Sequence, residues 1–575
     1  MIKLASVARG DIPADLVIKN AKIANVFTGE YELSDVAVYQ GKIAGIGEHY
    51  DGRKIYNAQG RVLIPSLIDG HIHIEDSMLI PQNFAVEAVR HGTGTVFADP
   101  HEIANVLGMS GLEYMFKASQ NLPIDIFYGA PSCVPASEYE TPLDELDAVS
   151  VSEMFRRHIV NHLGEMMNFP AVIAGDPEVW SKILTAQSCN LTITGHAPGV
   201  SGKALNAYLS SGISSDHECT DINEAREKLR RGMWLMLREG STFRDLHKLL
   251  QLLKENPMNA SRCMAVSDDI TARYLVERGH MDVKLRIMLS EKWLDPFTAL
   301  RLITLNPAEY FGFKDRGAIA PARLADFVLI DNEILDEHFT ISEVWKSGKL
   351  VMRDKDTFTQ DENDIAAPIF AAKTTNIPET EALKVKAEGN NMRVIGITEG
   401  TAITKTLTLP PKVADGCVVP DAERDIAKIV VLDRHHNFGR YAVGFVKGLG
   451  ITRGAVGSSV AHDAHNYVVI GMDDESIHTA LCALAEMYGG VVSAEGQRII
   501  EELALPVGGL MSYRDAESVS AGLEAVEASA ERLGVQVEHV YMVMSFMCLS
   551  VIPELRITDL GYVDISDGGL KTLFV

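Results

Sequence analysis

The sequence predicts an α/β protein built around a (β/α)8 barrel of the TIM type, with a small composite β-sandwich domain and a C-terminal α/β domain. Short apolar runs alternate with helical stretches from residue 61 to residue 317, and strand-like runs flank that region on both sides. Such alternation favours a parallel sheet, and eight units in about 250 residues fit a closed barrel.

The flanking strands come first in the chain. Short apolar runs broken by turn residues fill positions 15–48, and a similar set returns at 324–330 and 341–352. Runs of this kind are typical of a small antiparallel sheet. Neither set is large enough to be stable alone. We therefore expect residues 1–60 and 318–356 to form one β domain that the barrel interrupts.

The barrel itself is expected at residues 61–317. Helical stretches such as 81–90, 202–210 and 223–231 separate several of its strand candidates. A doubly wound open sheet has the same alternation. The eight predicted strands are 62–68, 94–98, 124–129, 159–163, 190–194, 213–215, 233–237 and 263–266.

The amino-acid composition changes after the second set of flanking strands. Residues 357–391 are polar and charged and contain two prolines, which predicts a linker. Residues 392–575 hold strands at 429–432 and 467–470 and helices near 475–487 and 516–532. This last region is predicted to be a separate α/β domain.

The amino-acid composition argues against some classes of partner and indicates the cellular compartment. Lys and Arg number 53 and Asp and Glu 78, giving a net charge of −25, which argues against nucleic acid or an anionic membrane as the main partner. The seven cysteines include no C-x-x-C pair, and the N-terminus does not read as a signal peptide. The most apolar late stretch, 540–552, is shorter than a membrane span. We expect a cytoplasmic protein without a membrane partner.

Histidines and carboxylates stand where the predicted barrel strands end, which is the catalytic face of a parallel barrel. In the motif His71-x-His73, the i and i+2 side chains point to the same side of an extended chain. The other residues at strand ends are Asp99 and Glu102 after the second strand, Glu165 after the fourth, His196 after the fifth, His217 after the sixth, and Asp268 and Asp269 after the eighth.

Imidazoles combined with carboxylates suit borderline divalent ions such as Zn²⁺, Mn²⁺ or Fe²⁺. Two histidines and an aspartate are enough for one ion, two histidines for a second, and Glu165 could bridge them. Two such ions would turn a water molecule into a strong nucleophile, and Asp268 could accept its proton. The pattern predicts a metal-assisted hydrolase.

The same residues resemble the amidohydrolase superfamily, and longer blocks resemble its adenine deaminase family of bacteria and archaea. The resemblance spans nearly the whole chain. The blocks that carry it are 69–78, 98–106, 164–168, 195–199, 215–220, 461–466 and 553–556.

The resemblance implies two divalent ions, Mn²⁺ or Fe²⁺ rather than Zn²⁺, and the conversion of adenine and water to hypoxanthine and ammonia by attack on carbon 6 of the purine. Glu165 stands where many relatives carry a carboxylated lysine, as in the adenine deaminase branch. We also expect a homo-oligomer, a dimer or larger. The implied metal ligands are His71, His73, Glu165, His196, His217 and Asp268.

Further residues are candidates for substrate contact. Asp99 and Glu102 could bond the purine edge or protonate it, although Asp-Pro before a helix is also a routine cap. Asp269 and Glu239 are weaker candidates for the same role. In the C-terminal domain His462 and His465 could close over the barrel mouth, hold an extra ion or simply be solvated. His462 and His465 are therefore candidates for a lid over the barrel or for an extra ion site.

Three alternative functions stay open at this level. Another amidohydrolase could open a cyclic amide, as dihydroorotases and hydantoinases do, but the missing strand-end lysine and the third domain count against it. A different aminopurine could be the substrate. A scaffold that lost its chemistry is the third alternative, but it has no reason to retain every ligand position.

Overall fold

The barrel is the centre of the fold. The structure is a computed structural model that describes residues 2–357, 373–398 and 404–575. The barrel strands run parallel to one another, which confirms the predicted fold class. They are β1 (Leu67–His73), β2 (Thr93–Ala98), β3 (Asp125–Ala130), β4 (His162–Met166), β5 (Ile193–Gly195), β6 (Ser215–Asp216), β7 (Trp234–Arg238), and an eighth strand interrupted at Ser267 into β8 (Cys263–Val266) and β9 (Asp268–Asp269).

Closure of the barrel depends on its last strand. β9 pairs with β1, where Asp268 lies opposite Ile72 and Asp269 opposite His73. On the other side, the backbone amide of Ser214 donates to the carbonyl of Ile193 at 3.1 Å and links β5 to β6. Closure therefore brings the end of the eighth strand beside the two histidines of the first.

The prediction of the first strand at 62–68 is wrong in its bounds. Val62–Pro65 pairs with Phe327–Ile330 in the composite sheet, and the barrel strand begins only at Leu67. All the residues of Val62–Pro65 and of β1 are buried. A continuous apolar run fits a strand in either sheet, so periodicity could not locate the break. His71 and His73 consequently lie within β1 rather than after it.

Helices surround the barrel, and their first turns follow from local sequence. The side chain of Asp221 accepts hydrogen bonds from the amides of Asn223 and Glu224, and Pro81 occupies the first helical position. The barrel-region helices are Pro81–Arg90, His101–Ala118, Ala148–Arg156, Phe169–Ala174, Pro177–Ser188, Gly202–Ser210, Ile222–Arg230, Leu246–Leu249, Gln251–Glu255, Ala272–Glu277, Met281–Ser290, Pro296–Leu302 and Leu305–Tyr310.

The composite β domain is one sheet made from both ends of the barrel region. Its core includes Ile18, Leu63 and Phe327, which come from both halves of the interrupted sequence. The sheet is mixed rather than antiparallel, because its first strand pairs in parallel with the fourth and fifth. Its strands are Ala14–Asn25, Glu30–Tyr39, Lys42–Gly47, Gly52–Asn57, Val62–Pro65, Phe327–Ile330, Ile341–Lys346, Lys349–Arg353 and Asp356–Thr357.

The C-terminal region contains an eight-stranded sheet. Its helices are Asp474–Glu486, Ala516–Arg532 and Val540–Phe546. The strands of the eight-stranded sheet are Met392–Gly396, Lys405–Leu409, Ile426–Leu432, Tyr441–Lys447, Ala455–Ser458, Tyr467–Gly471, Gly490–Glu495 and Arg498–Ala504. One small sheet consists of Val385–Lys386, Lys412–Ala414 and Cys417–Val419. A second small sheet consists of Arg556–Thr558, Gly561–Asp564 and Gly569–Lys571.

The predicted linker at 357–391 falls partly on residues 358–372, which lie outside the described residues. Of the remainder, Leu383 is fully buried against the C-terminal core beside Val430 and Leu432. The boundaries of the domains remain a prediction. No helix among the described residues is both long and apolar enough to cross a membrane.

The C-terminal domain packs over the carboxyl ends of the barrel strands. The loop after β3 is tied to it by a hydrogen bond of 2.6 Å between the hydroxyls of Ser137 and Ser550, and by Thr141 Oγ1, which donates to Asp559 Oδ2 at 2.8 Å. At another point the amide of Ser512 donates to the carbonyl of Met78 at 2.8 Å. The mouth of the barrel is therefore covered.

Candidate active site

The Glu165 carboxylate is the centre of the site. It lies near the end of β4, and its two oxygens face two groups of candidate metal ligands. Oε1 is 3.1 Å from His73 Nε2 and 3.8 Å from His71 Nε2. Oε2 is 2.8 Å from His196 Nδ1 and 3.2 Å from His217 Nε2. A carboxylate placed in this way is suited to bridge two cations.

The first group of candidate ligands consists of His71, His73 and Asp268. Asp268 Oδ1 lies 3.2 Å from Nε2 of each histidine. His73 Nδ1 is 3.0 Å from the carbonyl of Asp99, which fixes the ring so that Nε2 faces the cluster. This arrangement, with the second ring nitrogen bonded to a carbonyl, is typical of metal-bound histidine.

The second group consists of His196 and His217, whose ring nitrogens approach each other to 3.3 Å beside Glu165 Oε2. The turn between β5 and the following helix is held by Asp216, which accepts from the amide of Ala197 at 2.7 Å. The buried Lys228 ammonium donates to Asp216 at 2.9 Å and to the carbonyl of Ala197 at 2.6 Å. The ion pair thus holds the residues next to both imidazoles.

The electrostatics of the cluster favour positive charge at its centre. Burial alone lowers the pKa of His217, but Glu165 and Asp268 outweigh it and raise the pKa to about 9. Burial raises the pKa of Glu165, yet His217, His196 and His73 hold it well below its usual range. Two carboxylates among four imidazoles therefore stabilise cationic charge there.

The donors present fit divalent ions. His71 Nε2 is buried and makes no hydrogen bond, although Asp268 Oδ1 is close enough to share an ion with it. Side-chain groups His71, His73 and Asp268, and separately His71, Glu165 and His217, offer ligand atoms within 4.8 Å of one another. Nitrogen and carboxylate donors at this spacing suit Zn²⁺, Mn²⁺ or Fe²⁺.

Asp268 has a further partner that the sequence did not indicate. Arg238, at the end of β7, donates from Nη1 to Asp268 Oδ2 at 2.8 Å and also pairs with Glu218. The guanidinium is buried. Arg238 therefore turns the second oxygen of Asp268 away from the ligand cluster. The position of Arg238 at a strand end gives no signal for this role, because one partner follows β6 and the other lies in β9.

A cavity opens between the ligand cluster and the C-terminal domain. Side chains of the barrel and of the C-terminal domain both line it. The lining residues are His73, His101, Glu102, Glu165, Met167, His196, His217, Glu218, Arg238, Phe243, Asp268 and Asp269 of the barrel, and His462, Asp463, Phe546, Leu549 and Ile552 of the C-terminal domain.

Glu102 lies in this lining, on the first turn of helix His101–Ala118. Neither of its oxygens has a hydrogen-bond partner, and burial together with Glu75 raises its pKa to about 8. His462 Nδ1 and His465 Nε2 each lie 3.8 Å from a Glu102 oxygen. His465 Nδ1 accepts from the amide of Ala461, so the neutral ring carries its proton on Nε2. Glu102 thus lies between the two domains, with a pKa raised by its burial.

The other residues predicted to contact the substrate or to cover the site differ in whether they line the cavity. Asp269 lines the cavity, where burial, Asp268 and Asp76 raise its pKa well above the usual range. Asp99 and Glu239 are buried but do not line it. Asp99 Oδ2 instead accepts from the amide of Glu165 at 2.6 Å. His462 lines the cavity, whereas His465 lies behind Glu102.

An eight-stranded barrel with imidazoles and carboxylates at its strand ends defines a metal-dependent hydrolase. A family model described as the amidohydrolase family matches residues 62–351, and one described as the adenine deaminase C-terminal domain matches residues 401–568. The chain belongs to the amidohydrolase family and, within it, to the adenine deaminase family.

Individual relatives agree over the full length. An adenine deaminase of Kosmotoga olearia is 40% identical over 578 residues, covering 100% of this chain and 99% of the relative. Adenine deaminase 2 of Carboxydothermus hydrogenoformans is 44% identical over 566 residues, covering 98% and 97%. Among solved structures, the L-hydantoinase of Arthrobacter aurescens is similar over 60% of this chain and 97% of its own, at 14% identity and a TM-score of 0.47.

Proposed function

We propose that this enzyme catalyses the hydrolytic deamination of adenine to hypoxanthine and ammonia. The observation that carries the proposal is the Glu165 carboxylate, which faces imidazoles with both oxygens and lines a cavity between the two domains. Membership of the adenine deaminase family supports the same reaction. The cavity beside this carboxylate is lined by both polar and apolar side chains, as sites for small organic ligands commonly are.

Six residues would hold two divalent ions. His71, His73 and Asp268 would bind one, His196 and His217 the other, and Glu165 both. We favour Mn²⁺ or Fe²⁺ over Zn²⁺ as the native metal. When bound, the ions supply the Lewis acidity that makes a water molecule a strong nucleophile near neutral pH. The proton transfers of the reaction are carried out by side chains of the protein.

Asp268 is the proposed general base. Burial raises its pKa, but His217, His71, His73 and Arg238 outweigh this effect and hold the pKa well below its usual range. The carboxylate is therefore ionised and takes a proton from the attacking water as the new C–O bond forms at carbon 6. The same proton passes to the exocyclic amino group, which leaves as ammonia when the C–N bond breaks.

Glu102 is the proposed acid toward the ring. Its carboxyl is protonated near neutral pH, since burial raises its pKa to about 8, and its oxygens make no hydrogen bond within the protein. A proton donated to a ring nitrogen makes carbon 6 more electrophilic while the oxygen adds to it. That proton stays on the ring in hypoxanthine, and the proton of the new hydroxyl on carbon 6 returns to Glu102 as ammonia leaves and the carbonyl forms. Glu102 reaches the cavity from the side of β2, next to the ligand cluster.

The finer properties of the enzyme are also proposals. We propose a cytoplasmic homo-oligomer, for which sedimentation of the purified protein tests the assembly and fractionation of cells the location. The acidic net charge of −25 agrees with a small neutral substrate rather than a polyanion.

The reaction is tested by ammonia release. Purified protein loaded with Mn²⁺ should deaminate adenine, and hypoxanthine should accumulate in equal amount. Parallel assays with other 6-aminopurines, hydantoin and dihydroorotate separate the alternatives, with Asp268→Asn as the control for a contaminating deaminase. Ring opening of a cyclic amide without adenine turnover would assign another amidohydrolase activity. Inactivity toward all of these with full metal content would favour a scaffold.

A further inference from the structure

A buried aspartate in β1 links the backbones of two proposed metal ligands. Asp69 is fully buried, and its Oδ1 accepts hydrogen bonds from the amide of His71 at 3.3 Å and from the amide of Ser267 at 3.1 Å. His71 is a candidate ligand, and Ser267 directly precedes Asp268, which belongs to the same group of ligands. One oxygen of Asp69 therefore holds the first and the eighth strands together beside the ligand cluster.

The backbone of Asp268 adopts an uncommon conformation. Its φ angle is 61°, in the left-handed region that residues other than glycine seldom adopt. Ser267 interrupts the eighth strand immediately before it. In this conformation Asp268 Oδ1 lies 3.2 Å from Nε2 of His71 and of His73. Such a conformation persists only where the surrounding structure holds it, and the hydrogen bond from the Ser267 amide to Asp69 is a contact that does so.

The second oxygen of Asp69 faces a buried histidine. Asp69 Oδ2 lies 3.0 Å from His280 Nε2, and His280 Nδ1 lies 2.8 Å from Thr93 Oγ1 at the start of β2. His280 directly precedes helix Met281–Ser290 and is fully buried. The Asp69 carboxylate therefore has contacts on both oxygens, and these contacts fix its orientation. We call Asp69 and His280 the positioning pair.

We propose that the positioning pair sets the place of the Asp268 carboxylate relative to the two histidines of β1. The inference rests on the proposed function, in which Asp268 is both a metal ligand and the general base. Without Asp69 two buried amides lose their acceptor, which is costly. The backbone at Ser267 would then shift toward another partner and carry Asp268 with it. The pair acts through these amides and takes no part in the proton transfers.

The test measures Mn²⁺ affinity and turnover in variants of the pair. Asp69→Ala and His280→Leu should each bind Mn²⁺ about 10–100-fold more weakly than the wild type, the range typical of residues that hold a ligand in place. Competition with a fluorescent chelator measures this affinity on apoprotein, well below the unfolding midpoint of each variant. At saturating Mn²⁺, kcat should stay lowered and KM for adenine near its wild-type value, because neither residue lines the cavity. Asp69→Asn keeps an acceptor oxygen for the two amides and should recover most of the affinity.

Asp433→Ala is the matched control. Asp433 is a fully buried aspartate of the C-terminal domain, and its Oδ1 accepts from the amides of His435 at 2.9 Å and His436 at 3.3 Å. This substitution removes the same kind of contact at a place remote in sequence from the ligands. It should lower the thermal midpoint and leave the Mn²⁺ affinity unchanged.

The inference is overturned if folded Asp69→Ala and His280→Leu bind Mn²⁺ as tightly as the wild type, since the pair would then only stabilise the barrel. An equal loss of affinity in Asp433→Ala overturns it as well. Should both variants of the pair fail to fold, Thr93→Val, which removes only the hydroxyl beside His280, is judged by the same criterion. Failure of the wild type to deaminate adenine overturns the proposed function, whereas the Mn²⁺ affinities decide the inference whether or not adenine is turned over.

Discussion

The Asp99 carboxylate accepts a hydrogen bond from the backbone amide of Glu165 at 2.6 Å, and so links the ends of β2 and β4. Gly164 makes this possible, since a Cβ at that position would collide with the Asp99 carboxylate. The carbonyl of Asp99 also lies 3.0 Å from His73 Nδ1. Asp99 therefore positions two of the residues proposed as ligands.

Asp99→Ala should weaken metal binding. Loss of both the amide acceptor and its charge loosens Glu165, and partners of this kind typically cost about 10–100-fold in metal affinity. Competition with a fluorescent chelator measures the change, and Asp99→Asn, which keeps an acceptor oxygen, should lose less. Unchanged metal affinity with a raised KM for adenine would instead support a direct contact with the purine.

His71→Ala should reduce the metal content from two ions per chain toward one and abolish activity. The substitution removes an imidazole whose Nε2 lies 3.2 Å from Asp268 Oδ1 and makes no hydrogen bond. Metal analysis of protein purified without chelator gives the content directly. His162→Phe provides a control histidine in β4 that the cluster does not include. A wild type that is fully active with one ion per chain would contradict the two-ion site.

Asp268→Asn should keep most of the metal and lower kcat by roughly a hundredfold or more, the usual scale for a lost general base. Asparagine preserves the shape and one oxygen but accepts no proton. Asp269→Asn is the matched neighbour, and we expect it to be much less affected, because burial and Asp268 raise the pKa of its carboxyl and so disfavour the charge that a base needs. The reverse order of effects would exchange the roles of the two aspartates.

Glu102→Gln should depress kcat/KM for adenine by roughly tenfold to a hundredfold without emptying the metal site, which corresponds to about 1–3 kcal/mol for a lost buried polar contact. Glutamine fits the same space but has no proton to transfer to the ring. Metal content and the thermal midpoint serve as controls. Loss of metal in parallel with activity would indicate that Glu102 supports the ligands instead.

His162→Phe should make the protein more resistant to mild acid. Burial lowers the pKa of His162 to about 4 from an ordinary value of 6.5, so the unfolded chain binds more protons between these values. Stability is therefore lost as pH falls through that window, by roughly 3 kcal/mol in all. Urea unfolding at pH 7 and pH 4.5 should show a smaller loss in the variant. An equal loss in both proteins would contradict the assignment.

Several features of the fold and of the site can be predicted from the sequence. The alternation of apolar runs and helical stretches depends on local periodicity, and it predicted the barrel that the structure has. The residues at strand ends could also be read, because parallel strands of a barrel deliver their carboxyl ends to one face. Glu165, His196 and His217 follow from this rule, because each stands at the end of a predicted barrel strand.

The sequence by itself determined which side chains stand at the barrel mouth, since strand order and side-chain alternation are encoded locally. Only the tertiary structure decided what those side chains meet. Residues far apart in the chain meet where Val62–Pro65 pairs with Phe327–Ile330, where Arg238 contacts Asp268, and where side chains of both domains line one cavity. Such contacts depend on sheet closure and domain packing, and an apolar run has the same local pattern whether it lines a cavity or fills a core.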